Sequence, residues 1–283
     1  MKIGFNLLLW TTHVTEEHFP LFEKLKLAGY DGVEVPAFEG DPAHFKKVSK
    51  ILKNNGLAAT VVTVIPDEEH NPISSEARHR EGAVQYLKWA IDCAQALGAS
   101  VLCGPFYQPL GVFSGKGPTQ QEKQHGSEVH LKAAKYAEQA GVELAIESLN
   151  RFEGYFLNTV DEAADYTRRI GNRHLGVLCD TFHTNIEEKD PVGCISRNID
   201  QIKHVHICEN DRGIPGTGHI DWPATFKALR SSGYDGWLTV EVFGRALPDL
   251  AAATRVWRDF FSSPEEVYTE SIKFVKQQWA SAG

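Results

Sequence analysis

Eight short apolar runs recur along the chain at near-even spacing, and this rhythm limits the fold more than any other feature. The runs are Lys2–Leu9, Gly32–Val35, Ala58–Val64, Ser100–Gly104, Val142–Glu147, His174–Asp180, Ile202–Cys208 and Gly236–Glu241. Amphipathic stretches at helical spacing lie between them, such as Phe19, Phe22, Leu25, Leu27 and Tyr86, Leu87, Ala90, Ile91, Ala94, Leu97. Gly29, Gly56, Gly98, Gly141, Gly171 and Gly233 each stand just before a run, where a helix would stop. Eight strand–helix units without a long linker predict a closed parallel (β/α)8 TIM barrel. A doubly wound open sheet is the alternative, but so many regular repeats suit closure. The expected organisation is a single domain over residues 1–283, with a barrel core over 1–245 and C-terminal helices over 246–283.

Length does not contradict this. The 283 residues could make two domains, but single α/β barrels run to about 250 residues. The 42% apolar and 23% charged composition is that of a globular protein. The 29 Lys and Arg against 37 Asp and Glu give a net charge of −8, which disfavours nucleic acid and anionic membrane as partners. No apolar run approaches the ~20 residues of a membrane span. Ile3–Trp10 is short, carries Asn6 and lacks a small-residue cleavage site, so a buried strand explains it better than a signal peptide. Five scattered cysteines (Cys93, Cys103, Cys179, Cys194, Cys208) form no CxxC pair. They argue against structural zinc and a disulfide framework, and for a reducing cytoplasm. GxGxxG after the first strand, GxxxxGK[ST] and GxSxG are all missing. Arg255–Trp279 is rich in aromatics (Trp257, Phe260, Phe261, Tyr268, Phe274, Trp279), which fits either a last barrel helix or a subunit interface.

The chemistry gathers at the ends of the last four runs. AIE ends at Glu147, VLCD at Asp180, HVHI contains His206, and TVE ends at Glu241. Their separations of 33, 26 and 35 residues bracket the roughly 31 residues of one barrel unit. Parity agrees. If Leu144, Ile146, Val177, Cys179, Val205, Ile207, Leu238 and Val240 face the helices, the four polar groups face the barrel axis. They converge at the carboxyl-end mouth, where barrel active sites lie. Three carboxylates so close would repel unless a cation stood between them. A site of carboxylates and one imidazole suits Mn²⁺, Co²⁺ or Mg²⁺ better than a thiolate zinc site.

Glu153, His183 and Arg212 lie on loops at the same mouth and would suit a sugar pocket. Glu34, at the end of the second run, reads as a buried partner of an inward histidine such as His204. Gly213–Gly218 could cradle a phosphate, but a tight turn feeding a helix capped by Asp221 explains it more simply. His13, His18, His44, His70, His79, His125 and His130 show no metal-binding spacing and read as surface residues.

The blocks AIESLNRFEGYFLNT, LCDTFHTNIEE, HVHICENDRGIPGTGHIDW and TVEVF resemble the ketose 3-epimerases (the D-tagatose, D-psicose and L-ribulose 3-epimerases) of the xylose isomerase-like barrels. The likeness spans essentially the whole chain. It implies that Glu147, Asp180, His206 and Glu241 hold a divalent metal, most simply Mn²⁺, and that Glu153, His183 and Arg212 hold O1 and O2 of a ketose. The pairing of NRFE with DTFHTN and the Arg212 loop is its most discriminating part. Some family members carry an aromatic where Asn6 stands and another near Val14. Trp10 is retained here, so the wall at the far end of the sugar, Asn6, Leu8 and Trp10, would differ. The resemblance also implies a homodimer or homotetramer.

The expected reaction is inversion at C3 of a free ketose through an enediolate. Glu147 and Glu241 would act as acid and base on opposite faces. An aldose–ketose or hydroxypyruvate-type isomerase could use the same site for proton transfer between C1 and C2. A barrel endonuclease would need more metals, more His ligands and a basic track. A sugar- or metal-binding protein without catalysis would not need two opposed bases.

Overall fold

The computed structural model describes all 283 residues. Eight parallel strands close into a barrel in sequence order. They are β1 Lys2–Asn6, β2 Gly32–Pro36, β3 Ala58–Val62, β4 Val101–Gly104, β5 Glu143–Glu147, β6 Leu175–Asp180, β7 Ile202–Ile207 and β8 Trp237–Val240. The outer ring is made by α1 Phe19–Ala28, α2 Pro42–Asn54, α3 Ala77–Leu97, α4 Gln120–Ala140, α5 Val160–Ile170, α7 Gly193–Asn198, α8 Trp222–Ser231 and α10 Pro264–Ser281. Two short helices, α6 Thr181–Glu187 and α9 Pro248–Ala253, lie on the loops after β6 and β8.

Local sequence sets the ends of these elements. All six helix-stop glycines adopt the left-handed backbone. Thr119 with Glu122 and Thr159 with Glu162 form capping boxes at the starts of α4 and α5. The eight outward-facing strand residues named above are all buried in the main core between strands and helices. A second, smaller cluster fills the barrel interior with Val62, Val101, Cys103, Ala145, Leu178 and Trp237. Gly104 ends β4 with φ +126°, and a Cβ there would lie 2.1 Å from the carbonyl of Thr63.

Three features depart from the sequence reading. The first run does not stay extended to Leu9. The strand stops at Asn6, whose Oδ1 accepts the Leu8 amide at 2.9 Å and starts a 3-10 turn over Leu7–Leu9. His130 is not a surface residue. It is fully buried between Phe106 and Tyr166, with Nδ1 2.7 Å from the Tyr166 hydroxyl and Nε2 3.0 Å from the Phe106 carbonyl. The aromatic C-terminal segment divides in two. Helix α10 packs on α1 and, through Phe274, which stands 5.5 Å from Trp222, on α8, and so serves as the eighth outer helix. Helix α9 instead lies over the mouth, with Ala251 and Val256 joining the interior cluster and Trp257 exposed.

Candidate active site and metal centre

Register sets the four carboxyl-end side chains at one height. Asp180 pairs directly with His206. Glu147 pairs with Leu178, two residues short of Asp180, and His206 pairs with Thr239, two short of Glu241. Steps of two keep every side chain on the inner face. A register shift between Val177 and Leu178 opposite β7 aligns His204 with Leu178 and His206 with Asp180. One ligand atom from each of Glu147, Asp180, His206 and Glu241 lies within 4.8 Å of all the others. All four residues are buried.

Their electrostatics fit a divalent cation. Burial pushes the Glu147 carboxyl well above its usual range. His206 opposes that shift, and Glu241 and Asp180 add to it. His206 places Nε2 2.7 Å from Oε1 of Glu34, while Nδ1 faces Oε1 of Glu241 at 3.3 Å and Oδ2 of Asp180 at 3.8 Å. Nδ1 has no hydrogen-bond partner. A lone pair aimed at two carboxylates calls for a positive charge between them, either a proton or a metal ion. Burial opposes protonation of the ring, but Glu241 and Glu34 outweigh it and hold His206 well above the usual imidazole range. A metal would therefore displace a proton from Nδ1.

The loop residues surround this centre. His183 lies in the first turn of α6, which starts at Thr181 under the Asp180 cap. Its Nδ1 accepts the Asn150 amide at 3.0 Å, and its Nε2 lies 3.1 Å from Nη2 of Arg212, a group that can only donate. Burial, and then the charge of Arg212, push its pKa down to about 3, so the ring is neutral. Its Nε2 lies 3.5 Å from Oε1 of Glu147. Glu153 accepts a hydrogen bond from the Asn150 side-chain amide, and burial raises its pKa. Arg212 reaches Oε2 of Glu241 at 2.8 Å and Oδ2 of Asp180 at 3.2 Å, and its guanidinium lies 3.8 Å from the ring centre of Phe182. Its backbone is left-handed, with φ 69°. That strain is held by hydrogen bonds from its amide to Glu209 and from the Phe243 amide to its carbonyl.

A cavity of about 80 Å³ lies against Glu147, Glu153, His183, Arg212 and Glu241. Its other wall is apolar, made by Leu8, Phe38, Val62, Val64, Pro105 and Leu110, with Leu250, Ala253 and Thr254 of the α9 segment over it. Two residues expected in this wall lie elsewhere. Trp10 packs on Phe5 at 5.0 Å and toward Tyr268, because the 3-10 turn breaks the alternation that would have aimed it inward. Asn6 is fully buried below the cavity, where its amide donates to Glu34 and Glu241.

The sequence reading missed several supporting residues. Asn150 holds both His183 and Glu153, and only its place in the NRFE motif hinted at this. Phe182 carries Arg212. Glu209 is buried and accepts the amides of Gly216 at 2.8 Å and Asn210 at 3.0 Å and the Trp222 indole at 2.8 Å. An internal carboxylate thus fills the Gly213–Gly218 turn, which leaves no place for phosphate. Glu34 meets both His204 and His206, not His204 alone.

A family model for xylose isomerase-like TIM barrels matches residues 22–278. A probable ketose 3-epimerase of Synechocystis sp. is 31% identical over 99% of this chain and 97% of its own length. The chain belongs to the ketose 3-epimerase group of the xylose isomerase-like TIM barrel family. It is accordingly an enzyme of the isomerase class, a carbohydrate epimerase. A ketose 3-epimerase of Arthrobacter globiformis is 30% identical over 98% of this chain and 96% of its own. The solved structure of an L-ribulose 3-epimerase superposes with a TM-score of 0.92 at 26% identity, covering 99% of this chain and 95% of the other. That of a D-psicose 3-epimerase with D-tagatose from Clostridium cellulolyticum gives 0.90 at 27% identity, covering 99% of both chains.

Proposed function

We propose that this epimerase inverts C3 of free ketoses, with Glu147 and Glu241 as the acid–base pair. One observation carries the reading. Two carboxylates from β5 and the end of β8, strands separated by β6 and β7, meet in one buried cluster beside a neutral His183 and a charged Arg212. A divalent cation held by Glu147, Asp180, His206 and Glu241, most simply Mn²⁺, would stabilise negative charge developing on the substrate oxygens.

The remaining work falls to the chain. The C2 carbonyl acidifies the C3–H bond. One glutamate takes that proton, and the electron pair enters an enediolate across C2 and C3. The other glutamate, in its acid form, returns a proton to the opposite face of C3. The two carboxyls have then exchanged protonation states, and solvent resets them. The His183 imidazole and the Arg212 guanidinium, the latter as donor, bind O1 and O2, while Glu153 accepts from a hydroxyl. Holding that end of the sugar sets C3 rather than C1 between the two glutamates. The apolar wall leaves C4 to C6 loosely read, which supports activity on more than one ketose.

Turnover of D-fructose, D-tagatose and L-ribulose in D₂O with Mn²⁺ tests this reading. Deuterium is expected at C3 of the product. Deuterium at C1 with an aldose product would move the assignment to an aldose–ketose isomerase. We also propose a cytoplasmic homodimer or homotetramer. All five cysteines are free and buried, and Phe113, Phe152 and Trp257 expose aromatic surface. Light scattering should return a multiple of the 31.5 kDa chain mass; a monomer at micromolar concentration contradicts it.

A further inference from the structure

Below the four carboxyl-end side chains, the barrel interior holds a second polar tier. Asn6, Glu34, Thr60, Cys103 and His204 lie there, each at most 1% exposed. Interior tiers of such barrels are usually filled by branched aliphatic side chains. An ionised carboxylate in this position is costly unless both oxygens are fully engaged.

Glu34 is engaged on both. Oε1 accepts from Nε2 of His206 at 2.7 Å and from the side-chain amide of Asn6 at 3.0 Å. Oε2 accepts from the Thr60 hydroxyl at 2.9 Å and the Cys103 thiol at 3.2 Å. The first contact holds the imidazole proton on Nε2 and leaves Nδ1 as the atom facing the other ligands. The same Asn6 amide donates to Oε1 of Glu241 at 2.9 Å. Because Asn6 Oδ1 is already taken by the Leu8 amide, the Asn6 side chain cannot turn over without losing a contact. One carboxylate is thus tied to two of the four ligands, directly to His206 and through Asn6 to Glu241.

We propose that Glu34 is the positioning residue of the metal centre: it fixes the tautomer and ring orientation of His206 and, through Asn6, the rotamer of Glu241. The inference rests on the reading of Glu147, Asp180, His206 and Glu241 as metal ligands. The alternative is a structural carboxylate that only compensates His204, whose Nε2 lies 2.7 Å from Oε2.

Calorimetric titration of the chelator-stripped full chain with Mn²⁺ separates these, with circular dichroism and thermal melts run on each variant. Glu34→Gln should bind Mn²⁺ about 10- to 100-fold more weakly than wild type, the usual effect of losing a ligand's supporting carboxylate. Glu34→Asp keeps the charge with a shorter reach and should recover part of that loss. Thr60→Val removes a contact to Oε2 but none to His206, and should bind within about twofold of wild type. A folded Glu34→Gln chain with a lowered melting temperature and unchanged Mn²⁺ affinity overturns the proposal. If Glu34→Gln does not fold, Glu34→Asp decides: affinity unchanged from wild type overturns the proposal, and weakening of about threefold or more supports it. A wild-type chain that takes up no Mn²⁺ overturns the ligand reading itself, so the two failures are distinct.

Discussion

Strands β5, β6 and β7 carry Glu147, Asp180 and His206 at their carboxyl ends, and Glu241 follows β8, whereas β1 to β4 end on Asn6, Pro36, Val62 and Gly104. Both halves are made of parallel strands closed into one barrel and ringed by helices. They differ in what faces the axis at the mouth. The second half presents three carboxylates and an imidazole. The first half presents Leu8, Val62 and Val64, and its own polar groups lie one tier lower. A symmetric scaffold is therefore filled asymmetrically, with the proposed ligands and proton carriers on one side and an apolar wall on the other. An apolar wall lowers the local dielectric opposite the charges, which strengthens their interaction with developing charge on a substrate.

The largest expected difference between the halves is in turnover. Glu147→Gln and Glu241→Gln keep a coordinating oxygen but lose the proton acceptor. Each should lower kcat by at least about 10³-fold, about 4 kcal/mol of barrier, while metal analysis still finds bound ion. Stripping the metal should abolish activity and lower the melting temperature, and Mn²⁺ or Co²⁺ should restore both. A Gln variant with substantial turnover would remove the chemical distinction between the halves.

The second half was far more legible in the sequence than the first. Glu147, Asp180, His206 and Glu241 recur at the barrel period with the right parity, because closure forces equivalent strand ends to one height. Nothing periodic marks Asn150, Phe182 or Glu209. They act through loop hydrogen bonds and ring stacking, which depend on three-dimensional closure rather than spacing. Trp10 was misplaced for a local reason: extending strand alternation through Leu9 overlooked the ability of Asn6 to cap a turn. His130 was misread because one histidine on a helix gives no sign of which face is buried. The eight strands were placed to within about two residues at most ends, the usual blur of element boundaries.

The seam between the halves offers a medium-sized effect, read in pH. His130 on α4 ties the loop after β4 to α5 through the Phe106 carbonyl and Tyr166. Burial pushes its pKa down to about 4. An imidazole with a folded pKa below its unfolded value favours folding in its neutral form. Its contribution is complete above pH ~6.5 and is lost as pH falls toward about 4. Linkage over that interval amounts to about 3 kcal/mol. Denaturant melts of wild type and His130→Gln between pH 7.5 and 4.5 should show a shallower acid loss in the variant. Equal slopes would mean that His130 is not held neutral, and that the seam is softer than its burial implies.

The smallest effect belongs to the wall. Val62 ends β3, is 4% exposed and faces the cavity opposite Glu147 and Glu241. Val62→Ala removes two methyl groups from the cavity wall, a surface that on the proposed reading touches substrate without moving protons. Transfer energetics put the stability cost near 1.6 kcal/mol, with somewhat more if the gap stays open. The kinetic cost should fall on KM, because the ground state and the transition state use this wall alike and uniform binding leaves kcat in place. A two- to fivefold rise in KM with kcat within about twofold is the expected pattern. It should be larger for ketohexoses, which carry an additional C6 toward the wall, than for ketopentoses, which end at C5. Steady-state kinetics on D-fructose and L-ribulose read this directly. A fall in kcat comparable to that of the glutamine variants would show that the wall helps align C3 between the glutamates, and the division of labour between the halves would then be one of degree.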